Sequence, residues 1–402
     1  MKTFDDYRSL VLSLGSPLPT EVKALSSTLG FVCAEPVMAT YPVPPFDNSA
    51  MDGFAVRASE ISSGVTLPIA VDIPAGRVDV PPLSEGTAAR IMTGAPVPAG
   101  ADAIVPVEQV EDAGGHMARE ARTEVTFTGE AELGRHIRLA GKDIEEGELA
   151  VPAGTMLTAS HLSALASIGT GVVRVHRKPI IGILSTGTEL VEPGQPLKPG
   201  QIPDSNSLLL RSMVAEAGGI PVVLRTSGDE VADFEAALRS ETYIDALITT
   251  GGVSAGAFDV VKEYLSGHGI EFHRVAMQPG KPQGCGVLNV DGRPVPTLCF
   301  PGNPVSTYVS MLVYGRALMA RLTGASTDIP WTDLPAAADW STPPERAQFL
   351  PAIITAEGVA PATAGGSRSH LVYSLTKASA LAYVDADVES VSRGDIVKVW
   401  IP

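Results

Sequence analysis

Between residues 179 and 322, short apolar runs alternate with stretches of helical spacing, and glycine gathers at the joins. This alternation restricts the fold more than anything else in the 402 residues. Ile180-Ile-Gly-Ile-Leu, Pro221-Val-Val-Leu-Arg and residues 244–248, 272–277 and 295–300 read as strands. Helices are expected over 207–217, 230–240, 258–266 and 304–322. The residues Ser205 to Ser207 are cap candidates for the first, Gly218-Gly219 its stop, and Ser227-Gly-Asp-Glu230 a capping box for the second. A helical crossover returns the chain in the direction it came, so strands joined this way lie parallel. The expected core is a doubly wound, mostly parallel α/β sheet.

Open sheets of this kind bind ligands beyond the carboxyl ends of their strands. Three strand-to-helix loops there are polar and Gly-rich: Ser185-Thr-Gly-Thr-Glu189, Thr249-Thr-Gly-Gly-Val-Ser254 and Phe300-Pro-Gly-Asn-Pro-Val-Ser306. A fourth, Met277-Gln-Pro-Gly-Lys-Pro-Gln-Gly284, lies between strands. No loop is a Walker A sequence, and none fits G-x-G-x-x-G. Gly251, Gly252 and Gly256 allow close backbone approach and present N–H donors. Asp259 then places a carboxylate beside an expected anion, a pairing that asks for a cation. Each loop alone also reads as an ordinary βα turn. Asp259 and Glu189 also read as acids at helix N-termini. Lys281 is either a solvated loop lysine or a cation positioned by its flanking prolines. Asp52 before Gly53 reads first as a turn acid on local pattern, and Thr93-Gly94 shares that ambiguity. Four such loops in one domain favour a ligand site.

The flanks follow other patterns. Residues 3–14 place Phe4, Tyr7, Val11 and Leu14 at helical spacing, and residues 20–30 suggest a second helix between Thr20 and Gly30. From about 50 to 141, short apolar runs alternate with Pro and Gly, as in a small β-rich domain; residues 155–170 return to helical spacing. The β domain therefore reads as an insertion into a helical linker domain. After Pro330, short strands separated by Gly, Ser and Pro suggest a C-terminal β-barrel-like domain. The expected boundaries are 1–45 with 142–177 for the discontinuous linker domain, 46–141 for the insertion, 178–327 for the α/β domain and 328–402 for the last.

The net charge of −16 leaves no general field for nucleic acid or anionic lipid, so an anionic ligand needs positive charge gathered locally. Cys33, Cys285 and Cys299 show no metal-ligand spacing, and reduced thiols in a cytoplasmic protein are expected. The N-terminus lacks a signal-peptide core, and no apolar stretch is long enough for a membrane span.

Six motifs occur in order: Asn48-Ser-Ala-Met-Asp-Gly-Phe-Ala-Val, Arg90-Ile-Met-Thr-Gly-Ala-Pro-Val-Pro, Ile183-Leu-Ser-Thr-Gly-Thr-Glu-Leu, Gly251-Gly-Val-Ser-Ala-Gly, Pro279-Gly-Lys-Pro and Pro301-Gly-Asn-Pro-Val-Ser. Together they resemble molybdopterin molybdenumtransferases, the bacterial relatives of the gephyrin E domain, over nearly the whole chain. The resemblance implies an elongated homodimer of four-domain subunits. Its active site would lie between the α/β domain of one subunit and the inserted domain of the other. The implied reaction takes adenylylated molybdopterin and molybdate, with Mg²⁺, and yields AMP and the molybdenum cofactor. Substrate-site positions carried over are Asp52, Thr93, Glu189, Asp229, Ser254, Asp259 and Lys281, with Pro301 and Asn303 beside them. Asp259 and Glu189 would position Mg²⁺ or the attacking water, and Ser254 with the Gly251-Gly252 backbone would hold phosphate. Lys281 and Ser306 would hold molybdate, with Arg346 and Ser374 of the C-terminal domain as looser matches. A carboxylate 4 Å from a phosphate charge is repelled by about 4 kcal/mol at an effective dielectric of roughly 20, which is why Mg²⁺ belongs between them.

Three departures stand out. Gln278 occupies a position where many relatives have Lys, Thr188 stands where Asp is common, and Gly365-Gly-Ser-Arg-Ser-His matches the family's pattern only loosely. Two further readings are a molybdopterin adenylyltransferase, which shares the α/β fold, and a gephyrin-like scaffold or cofactor carrier. Molybdopterin adenylyltransferase and molybdoenzymes would be its protein partners.

Overall fold

The computed structural model describes residues 1–113, 122–224, 231–239, 243–253, 260–364 and 366–402. Helix α1 (Phe4–Ser13) begins at a capping box in which the Thr3 hydroxyl accepts from the Asp6 N–H and the Asp6 carboxylate accepts from the Thr3 N–H. Its Phe4, Tyr7 and Val11 face the core, as their spacing predicts. The helix expected over 20–30 is not there. The chain instead forms strand β1 (Thr20–Ala24) and a 3-10 turn (Leu25–Ser27), then β2 (Val32–Cys33) and β3 (Val37–Met38). Long-range pairing overrides the local helical spacing here.

The insertion is a five-stranded sheet of β4 (Gly53–Val56), β5 (Thr66–Ile73), β6 (Ala88–Ile91), β7 (Ala103–Pro106) and β8 (Glu124–Thr126), in the order β7-β4-β6-β5-β8. The chain then returns to its first segment. Strand β9 (Leu149–Val151) pairs with β3, helix α2 (Ala159–Ser167) follows, and β10 (Val172–His176) pairs antiparallel with both β1 and β2.

The α/β region runs through β11 (Ile180–Ser185), α3 (Ser205–Glu216), β12 (Ile220–Val223), α4 (Val231–Leu238), β13 (Ala246–Thr250), α5 (Val260–Gly267), β14 (Ile270–Arg274), β15 (Met277–Gln278), β16 (Pro282–Val290) and β17 (Arg293–Phe300). A continuous helical run closes it: α6 (Pro304–Ser310), a π segment (Met311–Gly315) and α7 (Arg316–Thr323). The sheet order is β12-β11-β13-β17-β16-β14. The first three pairings are parallel and the last two antiparallel. Both faces are covered. Ile181, Ile183, Ala246, Ile248 and Phe300 pack under α3 and the α6–α7 run, whereas Leu184, Leu247 and Cys299 pack against α4 and α5. Each fully buried Ile, Leu or Phe contributes about 1.5–3 kcal/mol relative to exposure.

The C-terminal sheet contains β18 (Thr332–Pro335), β19 (Ala347–Thr355), β20 (Gly358–Pro361), β21 (Ala380–Val384) and β22 (Ile396–Trp400). It runs β15-β19-β21-β22-β18, with β20 also on β19. A bridge between Ala336 and Val359, with the Ala337 N–H donating to the Val359 carbonyl at 2.7 Å, curls the far edge back toward β20. Its first strand, β15, comes from the α/β segment and pairs parallel with β19. That pairing carries the Pro-Gly-Lys-Pro loop to the C-terminal sheet. Among the described residues, no helix is long and apolar enough to cross a membrane.

Candidate active site

Three loops after β11, β13 and β17 meet at the carboxyl ends of the parallel strands, as the switch-point rule requires. The Thr186 N–H donates to the Thr250 carbonyl at 3.1 Å, and the Gly251 N–H to the Phe300 carbonyl at 3.2 Å. Gly251 has φ +91°, and a Cβ there would lie 2.8 Å from the Thr186 carbonyl oxygen, so only glycine fits. Asn206, at the start of α3, ties the cluster together. Its Nδ2 donates to Thr250 Oγ1 at 3.1 Å and to the Gly302 carbonyl at 2.7 Å. Its Oδ1 is buried and has no hydrogen-bond partner among the described residues. An acceptor left in that state costs about 1–3 kcal/mol unless a donor reaches it. The cap of α3 is Asp204, one residue before the expected Ser205 to Ser207: its carboxylate accepts from the Ser207 N–H at 3.0 Å.

Beside these loops lies a cavity of about 380 Å³ at the junction with the C-terminal sheet. Its lining includes Gln278, Lys281, Asn303, Ser306, Arg346, Ser367, Arg368, Ser369 and His370, and among the described residues no Asp or Glu. In a chain of net charge −16, that is a local concentration of positive charge. Among the described residues, Lys281, Arg346 and Arg368 make no ion pair within 4.0 Å (the pairs formed are elsewhere). Three features build the wall. The β15–β19 pairing sets Gln278 opposite Gln348 and brings Arg346 to the loop of Lys281. The Val305 N–H donates to the Ser369 carbonyl at 3.1 Å, and Asn303 Nδ2 to Ser369 Oγ at 3.0 Å, which docks the 367–370 loop on the start of α6. The Gln348 amide donates to Ser367 Oγ at 3.2 Å and anchors the same loop from behind. A separate cavity of about 240 Å³ near α1 and α7 also holds two arginines, Arg8 and Arg316, but Glu216 and Asp328 share its wall.

The structure brings Lys281, Pro301, Asn303, Ser306 and Arg346 together around one cavity, and sets Gly251 and Gly252 in the adjoining loop. Ser374 does not line it. Ser374 is buried in the 3-10 helix Val372–Thr376, and the serines that reach the cavity from this region are Ser367 and Ser369. Glu189 is exposed beside the loop cluster, its carboxylate folded into the space that a Cβ on Gly187 would occupy. Asp52 and Thr93 meet in the inserted sheet: Asp52 Oδ1 accepts from the Thr93 N–H at 2.6 Å and from its hydroxyl at 2.8 Å. Neither lines the Lys281 cavity. Asp229, Ser254 and Asp259 lie outside the described residues. Among the described residues, no three His, Cys, Asp or Glu side chains cluster as a metal site. Arg368, His370 and Asn206 join the site without a motif of their own. The first two sit in Gly365-Gly-Ser-Arg-Ser-His, whose cations in a Gly-rich loop were the available signal. Asn206 was hidden because it works across three loops.

Residues 2–169 match the model described as MoeA N-terminal region (domain I and II), residues 182–321 that of a probable molybdopterin binding domain, and residues 333–401 that of the MoeA C-terminal region (domain IV). The chain is 39% identical over 414 residues to molybdopterin molybdenumtransferase 2 of Mycobacterium tuberculosis, covering 100% of this chain and 99% of that one. It is 37% identical over 328 residues to molybdopterin molybdenumtransferase of Haemophilus influenzae, covering 81% and 78%. Among solved structures, a molybdopterin biosynthesis moeA protein from Pyrococcus horikoshii superposes with a TM-score of 0.75 at 29% identity, over 99% of this chain and 98% of the other. Ordered motifs, the shared fold and full-length similarity thus agree, and the chain belongs to the molybdopterin molybdenumtransferase family.

Proposed function

We propose that this enzyme inserts molybdenum from molybdate into adenylylated molybdopterin, releasing AMP and producing the molybdenum cofactor. The observation that carries this reading is the cavity around Lys281 and Arg346, cationic among its described residues and placed next to Gly-rich loops at the ends of parallel strands. Molybdate is a tetrahedral dianion. Lys281 and Arg346 supply opposite charge, and the Ser306 hydroxyl and the Asn303 amide supply directional donors. The backbone of Gly251 and Gly252, with Ser254, holds phosphate. Glu189 fits as a carboxylate ligand for Mg²⁺, with Asp259 as the second. Mg²⁺ takes one or two protein carboxylates plus substrate phosphates, so two acids suffice. When bound, the ion neutralises charge on the phosphoanhydride. The protein residues then fix the pyrophosphate and the oxyanion in one frame, which lowers the barrier by orientation. Flanking domains beyond the α/β sheet, one of which contributes Arg346, weigh against a free-standing adenylyltransferase.

The direct test incubates the full-length protein with adenylylated molybdopterin, molybdate and Mg²⁺, and measures AMP together with reconstitution of an apo-molybdoenzyme. Wild type releases AMP and yields active cofactor, while Lys281→Ala lowers both by about 100-fold, the worth of a charge-assisted contact of roughly 3 kcal/mol. Absence of both products from wild type defeats the reading.

The same proposal makes the enzyme a homodimer, with Asp52 and Thr93 of one subunit completing the partner's Lys281 site. Asp52→Ala and Lys281→Ala subunits, each strongly impaired alone, then complement when unfolded together and refolded. One of the two sites in each mixed dimer is intact, so activity returns to roughly a quarter of wild type for random C₂ pairing. Recovery near zero places both residues in the same subunit's site. Function in the cytoplasm, with molybdopterin adenylyltransferase upstream and molybdoenzymes downstream, belongs to this proposal.

A further inference from the structure

Gln278 brings no charge to the oxyanion cavity, yet the cavity is not poor in charge. Arg368 lines the same wall as Gln278 and Lys281. The backbone holds it there from several directions. The preceding Ser367 is buried at 4% exposure and receives hydrogen bonds from Gln348 Nε2 at 3.2 Å and from Gln278 Nε2 at 3.5 Å. Gln348 is itself fixed, because its Oε1 accepts from the Trp340 indole N–H at 3.1 Å. The following Ser369 is docked on the start of α6. Arg368 is therefore an exposed side chain on a loop anchored on both sides. Among the described residues it has no acidic partner within 4.0 Å.

We infer that Arg368 is a substrate-binding residue of this chain that supplies the cationic charge Gln278 lacks, and so sets the affinity for the tetrahedral oxyanion. The inference rests on the reading of the Lys281 cavity as an oxyanion site. The two residues form one unit: the neutral Gln278 amide hydrogen-bonds to the loop that carries the arginine, and a lysine at 278 would place a second cation beside it. A guanidinium offers two parallel donors to two oxygens of one tetrahedral anion, which a lysine does not. The arrangement therefore binds a dianion by a fork from the C-terminal loop plus the Lys281 ammonium.

The test titrates sodium molybdate and sodium tungstate into full-length protein by calorimetry at fixed ionic strength, without the pterin. Wild type is compared with Lys281→Ala, Arg368→Gln, Arg368→Lys, Gln278→Lys and the Arg368→Gln/Gln278→Lys double variant. Arg368→Gln weakens both anions by about tenfold or more, the worth of a charged hydrogen bond. Arg368→Lys keeps part of the affinity, and Gln278→Lys restores most of it in the Arg368→Gln background. Thermal melts of the variants separate binding loss from misfolding. If Lys281→Ala loses binding but Arg368→Gln binds as wild type, the role of Arg368 is wrong and the oxyanion site stands. A double variant as weak as Arg368→Gln also overturns the compensation. If wild type binds neither anion, or Lys281→Ala binds as wild type, the oxyanion reading fails and takes this inference with it.

Discussion

Asn206 carries more of the site than its place in the sequence suggests. Its amide holds the loop after β13 and the loop after β17 in one arrangement, through Thr250 and Gly302. Asn206→Ala removes two hydrogen bonds worth about 1 kcal/mol each, so a loss of about 2 kcal/mol in urea denaturation is expected, with a larger fall in AMP release than in folding. A variant that is destabilised but fully active shows that the clamp does not position the loops. At this scale the sequence announced Lys281, Asn303 and Ser306, because glycine and proline mark the loops that hold them. It did not announce Asn206, Arg368 or Ser367, whose placement depends on hydrogen bonds between residues 19 to 96 apart in the chain. Ser374, implied by the resemblance, lies five residues past Ser369, and the loop between them is too irregular to carry a register over from a loosely matching motif.

Among the elements, strand β13 begins at Ala246 rather than 244 and extends through Thr249 and Thr250. Apolar content marked the strand's middle but not its end. Both threonines are buried, and the Thr250 hydroxyl is satisfied by Asn206 and by the Pro301 carbonyl, so the strand continues past its last apolar residue. Strand β16 was missed altogether, since Pro-Gln-Gly-Cys-Gly reads as a turn. Its glycines are there for close approach: a Cβ on Gly286 would lie 2.1 Å from the Gly269 carbonyl oxygen. Gly286→Ala must therefore push β14 away from β16, at a cost of about 1–3 kcal/mol in denaturant unfolding. An unchanged midpoint means the strand pair adjusts freely. Hydrophobic periodicity recovered the helices of the α/β region and most of its parallel strands, because their burial repeats within a short window.

At the scale of the molecule, the segment after β10 is joined to the α/β sheet by a side-chain clasp. Arg177, just after β10, grips the buried Asp245, which also accepts from the Ile180 N–H at 2.8 Å. The hydrogen bond to Asp245 raises the Arg177 pKa further above its already high value, so the arginine keeps its charge at every working pH. Asp245→Ala leaves the arginine without its partner and frees the Ile180 N–H. A loss of about 2 kcal/mol is expected, below the range for a fully buried pair because Arg177 is partly exposed. Differential scanning calorimetry should resolve this as an earlier, broader transition; one unchanged transition would mean the clasp contributes nothing to the junction.

The sequence by itself determined the mostly parallel α/β core, the Gly-rich loops at the carboxyl ends of its strands, and the family through six ordered motifs. These are local properties: burial period, turn chemistry and short spacings are written within a few residues of one another. Only the tertiary structure decided that residues 20–24 form a strand, that β15 leaves the α/β segment to join the C-terminal sheet, and that Arg346 and Arg368 arrive beside Lys281. Each of these depends on a pairing between segments far apart in the chain. A strand edge or a buried charge selects its partner by the free energy of the whole packed arrangement, and no window of sequence contains that quantity.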